Sequence, residues 1–276
     1  MSMICQKNFF HIAFFFVAIF SILLASPLFP NSKTIALATS GNSLSLIGEV
    51  QDSITENPSC GQVIKGEVKL ISNLICTGDG LIVGDKNTRI DLNGFSIKGP
   101  GMNSNKVGIM IGGQENTTIT GNGIISGFQS GIYISGSNDT VARNLNINNN
   151  KVALYVTGST SFDITNNMVS NNTIGIASHT SDQTNIKYNL FSENNLSGIT
   201  FINTVDSVID GNNIFNTTNG VFLDVQSSFN RVNFNNVFNN VLDINNANSL
   251  PININKNYFT NNNCISSLPS GLCIGR

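Results

Sequence analysis

Residues 131–152, GIYISGSNDTVARNLNINNNKV, alternate apolar and polar side chains, break at glycine, and then crowd asparagine into the second half of the stretch. The next stretch, ALYVTGSTSFDITNNMVSNNTI (residues 153–174), has the same shape. The same opening recurs at Gly108, Gly131, Ala153, Gly175, Gly198, Gly220 and Val241, at intervals of 21 to 23 residues, with an earlier unit from Gly80. A period of this size marks a solenoid or array. Inside each unit the apolar residues keep period two over three to five positions, and none holds the 3.6-residue period of a helix. The unit is therefore made of short strands.

A second pattern recurs in each unit: apolar, two residues, asparagine, one residue, apolar. It runs through ITGNGI (119–124), ITNNMV (164–169), IKYNLF (186–191), IDGNNI (209–214), VNFNNV (232–237) and INKNYF (254–259). Its asparagines, Asn122, Asn167, Asn189, Asn212, Asn235 and Asn257, together with Asn144 in the unit 131–152, are expected to form one structural ladder. A coil of about 22 residues with three strands brings the chain back one strand spacing higher, about 4.8 Å. Asparagine suits the corners because it tolerates left-handed backbone, and stacked amides bond to those above and below. The expected fold is all-β: a single-stranded right-handed parallel β-helix of about 22-residue rungs, with a core of Ile, Val, Leu and Phe. Leucine-rich repeats share the period, but their leucine framework is missing.

Composition narrows the function classes. A net charge of −2 with 11% charged residues gives no basic face for nucleic acid. The 45 asparagines suggest disorder, but apolar residues at regular places between them argue against it. Lys7 precedes the apolar run FFHIAFFFVAIFSILLA (9–25), and Ala36-Leu-Ala38 offers a small-residue cleavage site. The run sits at the short edge of a membrane span, so residues 1–38 read as a signal peptide or an uncleaved N-terminal anchor, the latter being the sole membrane contact expected. The expected organisation is then residues 39–59 as an N-terminal cap, 60–264 as the β-helix, and 265–276 as a C-terminal cap. Caps are needed because an open solenoid end templates further strands. The expected location is secreted, cell surface or periplasmic. There Cys60, Cys76, Cys264 and Cys273 allow three pairings, of which closing the two short loops is the simplest. Free thiols are the alternative.

The stretch CGQVIKGEVKLISNLICTGDGLIVGDKNTRIDLNGFSIKGPG (60–101), with the asparagine-centred units after it, resembles secreted right-handed parallel β-helix repeat proteins. That superfamily includes pectate lyases, polygalacturonases, pectin methylesterases, mannuronan epimerases and the NosD-type periplasmic accessory proteins of nitrous oxide reductase. The resemblance implies the fold and leaves the activity open. The polygalacturonase signatures and the epimerase Asp-Pro-His-Glu motif do not occur in this chain. Met110 and Met168 stand apart from any His or Cys, so the copper chemistry of an accessory protein finds no ligand set.

Alternation assigns each unit's outward residues to two columns. The first is Met110, Tyr133, Tyr155, Ala177, Thr200, Phe222 and Asp243; the second is Gly112, Ser135, Thr157, His179, Ile202, Asp224 and Asn245. Tyr133 and Tyr155, with Thr157 and His179 beside them, are the candidate carbohydrate-binding residues, since paired rings stack on a sugar. The competing reading is same-face packing that stabilises the sheet. His179 would need an acid partner to act as a base, and Asp224 lies two rungs away, about 10 Å. No catalytic residue, metal ligand or cofactor is assigned. Asp139, Asp163, Asp182 and Asp206 drift in register, leaving only weak Ca²⁺ binding open. The first reading is an exported, non-catalytic scaffold or binding protein whose partner is a polysaccharide or cell-surface glycan. The second is a polysaccharide lyase or epimerase with a divergent site, and the third a NosD-like accessory.

Overall fold

The computed structural model describes residues 57–247 and 256–274. The signal or anchor segment and nearly all of the expected N-terminal cap lie outside the described residues. The rest is a right-handed parallel β-helix of three parallel sheets with ten, nine and eight strands. The first sheet runs from Gln62–Ile64 to Ser267–Leu268, the second from Glu67–Lys69 to Tyr258–Thr260, and the third from Leu74–Ile75 to Asn236–Phe238. Every pairing is parallel, and successive units stack in register: Ile132 on Leu154, Leu154 on Ile176, Ile176 on Ile199. These inward positions are fully buried, as are Phe128, Phe162, Phe191 and Phe201. Ser267–Leu268 pairs with the strand before it, so the helix continues past residue 264 into the stretch expected to be a cap.

The glycine that opens most units has a packing reason. A Cβ at Gly108 would collide with the carbonyl oxygen of Gly131, one at Gly175 with that of Gly198, and one at Gly220 with that of Asp243. Asp243 is therefore the counterpart of Gly220, and the last unit opens there, not at Val241. Its buried carboxylate accepts hydrogen bonds from Ile265 N (2.9 Å), Ser266 N (3.1 Å) and Asn240 Nδ2 (3.0 Å). The C-terminal loop is tied to the last rung in this way.

Asparagine amides form a continuous buried column at the turn from the second to the third sheet. Asn167 Nδ2 donates to Asn189 Oδ1, Asn189 to Asn212, Asn212 to Asn235, and Asn235 to Asn262, each at 3.0 Å. Each of these Nδ2 groups also donates to a backbone carbonyl one rung below, as Asn189 does to Ile164 O at 2.8 Å. A second column links Asn150, Asn172 and Asn194 at the turn back to the first sheet.

Three residues expected in the first ladder lie elsewhere. Asn144 is exposed with φ 54°, and its expected place is held by Leu145, whose N–H donates to Asn167 Oδ1. The cause is a one-residue offset: Ala142, not Val141, is the inward residue of the second strand, so the position three residues on is Leu145, while Ile147 and Asn150 remain buried. Asn122 is exposed with φ 52° for the same reason, because Ile125, not Ile124, is the buried residue of its third strand. Asn257 stacks on Asn230 in a different column, since Tyr258–Thr260 pairs with Arg231–Asn233 in the second sheet. The last repeat is 27 residues long between Asn235 and Asn262, and the regular spacing fails there.

Candidate functional site

The first sheet carries the candidate site on its outer side, where pairing fixes the order of side chains. Met110, Tyr133, Tyr155, Ala177, Thr200 and Phe222 stand in one column, one per rung, and the next member is Asn245 in place of the expected Asp243. The second column brings Ser135, Thr157, His179 and Ile202 together in register. The Tyr133 and Tyr155 rings lie with centroids 5.6 Å apart and planes tilted by 34°. Around Tyr155, Val152, Ile174 and Ala177 form a small apolar cluster separate from the core. Burial pushes the Tyr155 hydroxyl above its usual pKa, the neighbouring Tyr133 adds to the rise, and a hydrogen bond with Thr157 opposes it. Thr157, on the same outer side of the strand, is itself buried and adds little to the open surface.

His179 ends its strand at the turn toward the second sheet. Its Nδ1 lies 3.3 Å from the Thr180 hydroxyl. Asp224 serves its own turn, accepting from Asn203 N (3.0 Å), Ser227 N (2.8 Å) and Ser227 Oγ (2.7 Å). The two do not form an acid–base pair. Beside His179 the turns of three successive rungs enclose a shallow depression of about 480 Å³, lined by Ser159, Thr160, Thr180, Asp182 and Asn203 among others. It brings together residues about 22 apart in sequence, each of which reads as an ordinary turn residue, so only the stacking reveals it.

The four turn acids fall in three columns. Asp139 and Asp206 share one, Asp163 stands on Asn185 in a second, and Asp182 pairs with Thr160 in a third. Among the described residues no group of three His, Cys, Asp or Glu is placed to hold a metal ion. The cysteines form Cys60–Cys76 and Cys264–Cys273, with Cα separations of 5.6 and 5.1 Å, one bridge near each end of the described helix. What this side of the molecule offers chemically is two aromatic rings on the first sheet and, at the turns that follow, a depression lined by hydroxyl, amide and carboxylate groups.

The profile of a family described as "Periplasmic copper-binding protein (NosD)" matches residues 60–267. No curated protein sequence matches the chain. Among solved structures, the chain is similar to the periplasmic alginate epimerase AlgG, at 13% identity over 76% of this chain and 71% of that one, with a TM-score of 0.47. It is similar to DFA-IIIase from Arthrobacter chlorophenolicus A6 at 17% identity, covering 72% of this chain and 52% of that one, with a TM-score of 0.47. Tailspike protein 2 from Escherichia coli O157:H7 bacteriophage CAB120 aligns at 16% identity over 76% of this chain and 34% of that one, with a TM-score of 0.45.

Proposed function

The chain belongs to the family described as periplasmic copper-binding proteins (NosD), and from that membership we propose that it is an exported, non-catalytic β-helix protein that holds a glycan against the outer side of its first sheet. Two disulfides support export, since such bonds persist in oxidising compartments. The observation that carries the glycan reading is the Tyr133–Tyr155 ring pair, held in register on neighbouring rungs of the first sheet. Aromatic rings present an apolar face with a polar edge, which suits the apolar face and hydroxyl rim of a sugar.

Copper, which the family description names, needs clustered His, Cys or Met. Among the described residues His179 is the sole histidine, and all four cysteines are joined in disulfides. The described residues do not fit a copper ion.

A glycan array probed with the full chain, with and without Ca²⁺, tests the proposal beside a Tyr133→Ala/Tyr155→Ala variant. The expected result is binding that does not depend on Ca²⁺ and falls at least about tenfold in the variant, about 1.4 kcal/mol, within the loss of two ring contacts of about 0.5–1.5 kcal/mol each. A folded chain that binds no glycan, or a variant that binds as well as the parent, overturns it.

A further inference from the structure

We propose that the outer corner between the second and third sheets carries a separate binding site for neutral polysaccharide, built on Tyr188 and Phe234. This goes beyond the first-sheet reading and uses different residues. At this corner the chain takes left-handed backbone, and the usual occupants are asparagine, as at Asn144, Asn166 and Asn261, or glycine, as at Gly211. Tyr188 (φ 56°) and Phe234 (φ 52°) depart from that rule with bulky rings, which the conformation disfavours. Both rings are also turned to solvent, 62% and 59% exposed. Neither the backbone nor the core benefits from an aromatic residue at these positions, and retained strain on a surface points to a functional constraint.

The surroundings select the ligand. Tyr188, Gly211 and Phe234 occupy successive rungs, and the edge of the Tyr188 ring lies over Gly211, where a Cβ would come within 2.7 Å of it. The two rings are thus between one and two rungs apart, about 5–10 Å, the span of neighbouring pyranose units in an extended polymer. Beside them on the third sheet an exposed row of amides runs from Asn263 to Asn236 (3.1 Å) and on to Asn213 (3.0 Å). Beyond that row Phe215 and Phe238 stack at 5.2 Å with planes 14° apart. Aromatic faces interleaved with amide donors and acceptors fit sugar rings and hydroxyls. A lipid surface or a second copy of the chain would call for one contiguous apolar patch. Lys187 and Asp210 stand in register beside the corner, so opposite charges balance and nothing favours an acidic polymer.

The test is affinity gel electrophoresis of the full chain through hydroxyethylcellulose, galactomannan and, as the acidic comparator, alginate. The variant Tyr188→Asn/Phe234→Asn installs the corner's usual residue, so it should fold at least as well as the parent. The expected result is retardation by a neutral polymer, weakened at least about tenfold in this variant and unchanged in Tyr133→Ala/Tyr155→Ala. That second arm separates the proposal from the first-sheet reading. The proposal is overturned if the folded parent runs freely in both neutral gels, if alginate alone retards it, if the double asparagine variant is retarded as strongly as the parent, or if sedimentation shows a dimer that this variant dissociates.

Discussion

At the turn between the second and third sheets, Asn166 faces solvent with φ 55°, while Asn167, the next residue, is 1% exposed and linked to Asn189 through its amide. The same side chain serves two purposes in adjacent places. Outside, it is a residue that tolerates left-handed backbone. Inside, it is a donor and acceptor that satisfies the carbonyls and N–H groups a corner leaves unpaired. The inner column accepts no other residue within its run from Asn167 to Asn262, whereas the outer corner accepts glycine, tyrosine and phenylalanine. Hydrogen bonding is the stricter demand because a buried unpaired group costs more than a strained dihedral.

Asn189→Ala breaks the inner column at its middle. It leaves the N–H of Asn167 without its acceptor and removes the amide donor from the carbonyl of Ile164, while the Lys187 carbonyl keeps its bond from Asn166 N. At about 1–3 kcal/mol for each group left unsatisfied, partly offset by relaxation, the expected loss is about 3–5 kcal/mol, read from urea unfolding. Joint replacement of Cys264 and Cys273 by alanine unhooks the chain just after Asn262, the last member of the column. It should lower stability by about 2–4 kcal/mol, and hydrogen exchange should show the last rung opening first. Asn166→Ala tests the outer corner, with an expected cost of about 1 kcal/mol and almost none for Asn166→Gly. A cost for Asn166→Ala matching that of Asn189→Ala would erase the distinction between the two positions. Tyr188→Asn should reverse the sign and raise stability by about 1 kcal/mol, visible as a higher melting temperature. The smallest effect belongs to the first sheet. Because the folded-state pKa of Tyr155 is raised above 10.0, its contribution is fully present below that pH and is lost as the pH climbs through the raised value. A difference in urea midpoint between parent and Tyr155→Phe that is constant at neutral pH and changes only in alkaline solution checks it.

Much of this molecule is visible in its repeat. The opening glycines, the alternation and the asparagine clusters identify three short parallel strands per rung, and the two cysteine pairs fall where simple loop closure puts them. The frame within a unit is less secure. Val141 outcompetes Ala142 as the apparent inward residue and Ile124 outcompetes Ile125, although in each case the other one is buried. Hydrophobicity marks a strand without saying which of two neighbouring apolar residues faces the core. Tyr133 and Tyr155 are legible as a pair because both sit at the same position of successive units. The depression beside His179 and the ring ledge of Tyr188 and Phe234 are not, since each assembles residues from several turns.

The period, the strand content and the direction of the stack are written in the order of the residues alone, because a repeated unit with one apolar face can bury that face only against its own copies. Folding in three dimensions was needed to set the register within each unit, the division of asparagines between inner column and outer corner, and the position of the last rung. Those depend on which backbone groups each turn leaves to be satisfied, and that is settled between rungs, by contacts some 22 residues apart, not within any one of them.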